Sequence, residues 1–324
     1  MKISRAVAAA AFYLALGVIL VNFPGQCDAA LQVGFYKGKC NSRNVEGIVF
    51  SVVERRMNEA KGVAAALIRL HFHDCFVKGC DASILLDGNS CEKNATANQS
   101  VRGYDVIDEA KELLEEACEG VVSCADIIAI AARDAVQLSG GGRYEVQTGR
   151  RDGTESLASN VDLPSPSFSV SQSADAFKNK GIGLEDMVLL LDRLYNFGGS
   201  GKADPTMDPA LVEKLIVICP KNSTANAPVS LDQNPASTFV FDNSFYNQTQ
   251  HRRGVLRIDQ ELALDPLTSN TVANLITGND FLARFGQAMV KLGVVEVLTG
   301  PQGEIRKSCR VVNSKPRSPF SLFG

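Results

Sequence analysis

Residues 67–83, LIRLHFHDCFVKGCDAS, constrain the fold of this chain more tightly than any other stretch. They hold two of its three histidines, one arginine, two aspartates and two cysteines. On a helix, Arg69 and His73 lie four residues apart and share a face. A fixed cation beside an imidazole can activate a small polar molecule. Beyond Phe76 the pattern changes: Asp74, Asp81 and Ser83 are oxygen donors on a glycine-containing loop that Cys75 and Cys80 can cross-link. A helix must therefore run straight into a tight loop suited to a hard cation. A zinc cluster of His71, His73 and Asp74 fits less well, because helical positions two apart face different ways; His71 reads as a packed core histidine. In a secreted chain, Cys75 and Cys80 read as a structural staple rather than a redox pair.

The N-terminus reads as a leader over residues 1–29. Lys2 and Arg5 precede an apolar run over 6–21 and a small-residue cleavage point after Ala29. The run is short for a membrane helix and has no basic flank behind it. The reading is a secreted protein, extracellular or in the cell wall, with the vacuole as the alternative destination, and with no membrane association once the leader is cleaved. Of nine cysteines, removal of Cys27 leaves Cys40, Cys75, Cys80, Cys91, Cys118, Cys124, Cys219 and Cys309. Secretion makes these disulfide candidates, though their number does not fix the pairing. The triplets at Asn94, Asn98, Asn222 and Asn247 agree with that route. A formal charge of -3, without blocks of like charge, gives no reason to expect a nucleic-acid partner.

The length of 324 residues suits one domain over 30–324. Its periodicity is helical. Val45, Ile48, Val49, Val52 and Val53 predict a helix over about 43–60, and a second follows over 64–76. Residues 80–102 read as a long polar loop. A stripe from Val106 to Ala117 predicts a helix over 104–118. Ser123, three residues before Asp126, starts a further helix in the manner of a capping box, and CADIIAIAARDAV behind it is apolar nearly all round, hence buried. Further helices are expected at about 171–180, 184–196 and 279–293. Two more follow the Asp-Pro starts at Asp208-Pro209 and Asp265-Pro266. The fold class is all-α.

From Arg69 to Ser83 the sequence resembles the secretory plant haem peroxidases. The likeness extends to Glu92-Lys93 with Asn98, Val122-Ser-Cys-Ala-Asp126, Gly149-Arg-Arg-Asp152, Leu163-Pro-Ser-Pro166, Asp192-Arg-Leu-Tyr-Asn-Phe197, Phe241-Asp-Asn243, Asp259-Gln-Glu-Leu262 and Cys309-Arg-Val-Val-Asn313. It implies two helical halves around a haem b, stapled by disulfides Cys40–Cys118, Cys75–Cys80 and Cys124–Cys309, with one calcium on each side. It implies a monomer acting on hydrogen peroxide and small phenolic substrates. His73 resembles the distal acid–base and Arg69 the cation that steadies charge as the O–O bond breaks. Phe72 resembles the wall at the haem edge, and Asn98 the partner that fixes the His73 tautomer. The distal calcium ligands implied are Asp74, Val77, Gly79, Asp81 and Ser83, with Glu92 through a water. Pro164 resembles the residue facing aromatic substrates.

One part of the pattern is missing. The family places Gly-His-Thr-x-Gly between Asp-Met-Val-x-Leu and Asp-Arg-Leu-Tyr-Asn-Phe. Here Asp186-Met-Val-Leu-Leu-Leu runs directly into Asp192-Arg-Leu-Tyr-Asn-Phe197. About fourteen residues, roughly four turns of helix, are absent. With them go the axial haem ligand, a cysteine partner for Cys219 and a threonine of the second calcium site. Asp259, which resembles the carboxylate that orients the axial histidine, has no histidine in the matching place. Asp232, Ser237, Val240 and Asp242 resemble the remaining ligands of a weakened second site. The one other histidine, His251, reads as a solvated surface group. Cys91 and Cys219 are left over from the three pairs. Two functions stay open from sequence: a secreted peroxidase, or a catalytically inactive relative that persists as a calcium-binding extracellular protein.

Overall fold

A computed structural model describes residues 30–165, 168–184, 206–218 and 229–313. The leader over 1–29, Pro166, the junction at Leu191, almost all of the helix expected over 184–196, Cys219, the Asn222 triplet and the tail from Ser314 lie outside the described residues.

Ten α-helices are present among the described residues. They are α1 (Val45–Glu59), α2 (Val63–Phe76), α3 (Tyr104–Ala117), α4 (Cys124–Leu138), α5 (Val170–Asn179), α6 (Pro209–Ile218), α7 (Ser244–Gln250), α8 (Arg257–Leu264), α9 (Ser269–Thr277) and α10 (Phe281–Leu292). The only ladder among them pairs β1 (Gln32–Val33) antiparallel with β2 (Gln147–Thr148), Gln32 opposite Thr148. Within the described residues no helix is long and apolar enough to cross a membrane.

Two large apolar cores form, beside a smaller cluster of Leu211, Leu215, Val255 and Leu256. Val49, Ile107, Leu114, Ile127 and Ile130 build the first, and Phe177, Ile258, Leu275, Phe285 and Met289 the second. Helices α2 and α4 serve both. α2 gives Leu67 and Leu70 to the first core but Phe72 and Phe76 to the second, and α4 likewise divides Ile127 and Ile130 from Ala132 and Val136. This double burial is why both helices are apolar over much of their circumference.

Caps set the helix starts. Asn44 Oδ1 accepts from Gly47 N at 3.1 Å, and Ser123 Oγ accepts from Asp126 N at 3.2 Å. The capping box expected at Ser123 closes on one side only, because the Asp126 carboxylate turns inward. It accepts from Tyr36 Oη (2.6 Å), Gly149 N (2.6 Å) and Arg150 Nη1 (2.8 Å). A reciprocal box, not anticipated, forms at Ser169 and Gln172. The Asp265-Pro266 start also differs. Asp265 is extended (ψ 131°), as a residue before proline prefers, and it ends α8; α9 begins only at Ser269. Helices α7 and α8, seven and eight residues long, were not expected from periodicity.

Disulfides Cys40–Cys118, Cys75–Cys80 and Cys124–Cys309 close, the last across 185 residues. Cys91 is a buried free thiol. Asp126→Ala strands the buried Arg150 charge, so the expected loss in urea unfolding is about 3–5 kcal/mol; a loss under about 1 kcal/mol would contradict this role for Asp126.

Candidate functional site

Helix α2 ends at Val77, whose extended backbone (φ -104°, ψ 99°) turns the chain away. Lys78, Gly79 and Ala82 then take positive φ, winding the loop back toward the helix end. Gly79 is required twice over: its φ is +95°, and a Cβ there would lie 2.3 Å from the Glu296 carbonyl oxygen. The turn returns the chain to the helix so that Cys80 meets Cys75 and Asp74 Oδ2 accepts from Ala82 N at 3.1 Å.

A chain of hydrogen bonds fixes His73. Asn98 Nδ2 donates to the Glu92 carbonyl at 2.9 Å, which turns Asn98 Oδ1 toward the ring. His73 Nδ1–H donates to that oxygen at 2.7 Å. The proton is thereby assigned to Nδ1, leaving a lone pair on Nε2. Arg69 Nε–H donates to Nε2 at 3.1 Å, and Arg69 Nη2 donates to Ser100 Oγ at 3.0 Å. Burial lowers the His73 pKa to about 4, against the opposing pull of Asn98 and with further lowering by the Arg69 charge. The imidazole is therefore a neutral proton acceptor at neutral pH. Phe72 stacks on Phe177 at 5.9 Å and meets the His73 ring edge-on at 5.9 Å, forming a dry wall. Phe177 and Ser100 were not among the site candidates; the sequence marks Ser100 only as the last residue of the Asn98 triplet, and no local motif marks Phe177. Pro164 is buried, and its neighbour Leu163 packs on the core that contains Phe72.

The end of α2 and the loop beyond it gather three carboxylates, with the buried Arg306 as their shared cation. Asp74, Asp81 and Glu92 are 0%, 8% and 1% exposed. Burial, reinforced by Asp81 and then Glu92, raises the Asp74 pKa well above the carboxylate range. Burial also raises Asp81, and it lifts Glu92 to about 7. Asp74 Oδ1 and Glu92 Oε2 are buried without a hydrogen-bond partner, and the Ser83 hydroxyl lies beside both Asp81 and Glu92. A Cβ at Gly153 would come within 2.2 Å of Asp81 Oδ2, so the wall is cut close to this carboxylate. Among the described residues no three His, Cys, Asp or Glu side chains hold a metal ion unaided. The Ser83 hydroxyl and loop carbonyls must complete any donor set. An all-oxygen set with unpartnered buried acceptors fits calcium.

The loop 232–242 differs. Asp232 accepts from Asn234 N (3.0 Å) and Ser237 Oγ (2.6 Å), and Asp242 accepts from Ser244 N (2.8 Å). Val240 is 52% exposed. This loop bonds to itself and shows none of the unpartnered buried oxygens of the first.

All three histidines of the chain fall within the described residues. His71 points away from His73, its Nδ1 3.5 Å from Cys75 Sγ; burial and Arg150 lower its pKa to about 3. His251 is exposed, its Nδ1 2.7 Å from the Asn247 carbonyl at the end of α7. No imidazole is left to stand opposite His73. Asp259 is fully buried on α8; the Tyr246 phenol is pushed up by its own burial and then by the Asp259 charge. The His73 side thus suits one face of a haem, while the chain has no histidine for the axial position on the other.

A peroxidase family profile matches residues 49–277. The chain is 51% identical to Peroxidase 60 of Arabidopsis thaliana over 320 residues, covering 94% of this chain and 96% of that protein. It is 48% identical to Peroxidase 57 of the same plant, covering 88% of this chain and 93% of that one. Against Peroxidase 5 of Vitis vinifera the identity is 44%, over 89% and 93% of the two chains.

In a proton NMR titration, the His71 and His73 ring signals are expected to hold their neutral positions from pH 8 down to about pH 5. A His73 signal titrating above pH 6 would contradict the hydrogen-bonded arrangement.

Proposed function

The chain belongs to the class III plant peroxidase family, and from that membership we propose a secreted enzyme of hydrogen peroxide and small phenolic donors whose proton chemistry is carried by Arg69 and His73. The observation that carries this reading is the 2.7 Å contact of His73 Nδ1 with Asn98 Oδ1, whose amide is oriented by the Glu92 carbonyl and so assigns the proton to Nδ1. With Nδ1 protonated, the Nε2 lone pair takes the proton of a peroxide oxygen and can return it to the departing oxygen. Arg69, within hydrogen-bond reach of Nε2, steadies the negative charge that develops. Phe72 and Phe177 keep water from competing for Nε2. Pro164 lines the approach of the phenol. Asp74, Asp81 and Ser83 with the Val77 and Gly79 carbonyls, and Glu92 through a water, would hold a calcium, which would supply the positive charge that their buried oxygens lack.

Cleaving the O–O bond takes two electrons, and the chain's own residues supply none. Family members draw them from haem, whose axial histidine has no counterpart here. That specific gap favours a second reading, a catalytically inactive member that retains the cation loop.

Hemin added to the mature chain, followed by guaiacol oxidation with peroxide, separates the two. The first reading expects turnover that falls about 10²–10⁴-fold in His73→Ala; hemin uptake without turnover favours the second. Calcium chelation is expected to lower the melting temperature, the stabilisation at 100 times the dissociation constant being about 2.7 kcal/mol. A melting temperature indifferent to calcium would contradict the cation loop.

A further inference from the structure

Two acceptor triplets for N-linked glycan overlap the His73 site: Asn94-Ala95-Thr96 and Asn98-Gln99-Ser100. Their asparagines are placed in opposite ways. Asn94 is exposed at the end of a short turn, its Nδ2 donating to the Gly88 (2.9 Å) and Asn89 (3.1 Å) carbonyls of the same surface loop. Asn98 is 2% exposed, with both polar atoms committed: Oδ1 to His73 and Nδ2 to the Glu92 carbonyl. Asn247, in a third triplet, is exposed on α7.

Glycan transfer forms a bond from the sugar's anomeric carbon to the asparagine Nδ2. The carbon–oxygen bond to a lipid-linked diphosphate donor breaks, and Nδ2 gives up one proton. At Asn94 the remaining N–H keeps one of two surface hydrogen bonds, and the sugar extends into solvent. At Asn98 the same step would put a saccharide on the nitrogen that grips Glu92, in a place with no room for one. Asn98 would have to leave, releasing the His73 ring and its tautomer together.

We infer that Asn94 and Asn247 carry N-linked glycan, and that glycan on Asn98 and a formed His73 site exclude each other. Transfer meets a chain that is still unfolded, so burial does not prevent the reaction; it removes the Asn98-linked form from the folded pool. The Asn98 triplet is thus a point where modification and site assembly compete. This rests on the secretory route proposed above.

The test expresses the full chain with its own leader in cultured plant cells and isolates the secreted protein. Peptide N-glycanase A in heavy-oxygen water then marks each occupied asparagine as labelled aspartate, read by mass spectrometry. The expected result is label at Asn94 and Asn247 and none at Asn98, with Asn94→Gln losing one glycan step in mass while still being secreted. Asn98 label confined to chain retained in the cell also supports the exclusion. Label at Asn98 in the secreted protein, or a bare Asn94 beside a labelled Asn247, overturns the inference. A chain without label anywhere overturns it together with the secretory route.

Discussion

The Asn98 side chain joins the two parts of this protein that have to act together. One end of its amide holds the Glu92 carbonyl and the other the His73 ring. Each bond taken alone contributes only about 0.5–1.5 kcal/mol. Their effect on chemistry is larger than their energy, because an amide has a donor end and an acceptor end. With the donor end engaged by a carbonyl, the acceptor end must face His73, and the ring has one tautomer left. The proton-accepting atom is thus set by a loop 25 residues further along the chain. Asp74, Asp81 and Glu92 are buried next to that loop, and each carboxyl is pushed up by its burial.

The fold explains how His73 can be well held while its opposite side is incomplete. Helices α2 and α4 belong to both apolar cores, and the disulfides and the Asp126 network tie the first core to both ends of the described body. His73, Asn98 and the loop beyond α2 draw support from there and, through Phe72, Cys75 and Cys80, from the second core as well. The segment absent at Leu191 belongs to the other side of the family's haem. Asp259 is buried there, close enough to Tyr246 for its charge to act on the phenol.

Much of the helical order was legible because stripes such as Val106, Ile107, Ala110 and Leu114 are long and regular. α7 and α8 were not, since seven or eight residues give too few turns for a period to register. The Asp-Pro signal at 265 misplaced a start because the same dipeptide also ends a preceding helix. Arg69 and His73 could be paired by spacing alone. Asn98, Glu92 and the partners of Cys40 and Cys124 could be named only through the family likeness, as their contacts span long stretches of chain. Ser100 and Phe177 went unnoticed because their roles follow from tertiary placement.

The central claim is that this chain builds the His73 side of a peroxidase site and has no imidazole for the other. Resonance Raman spectroscopy of the ferrous hemin complex tests it most directly. The account predicts no iron–imidazole stretching band until free imidazole is added. A band present without added imidazole, and lost in His251→Ala or His71→Ala, would contradict it.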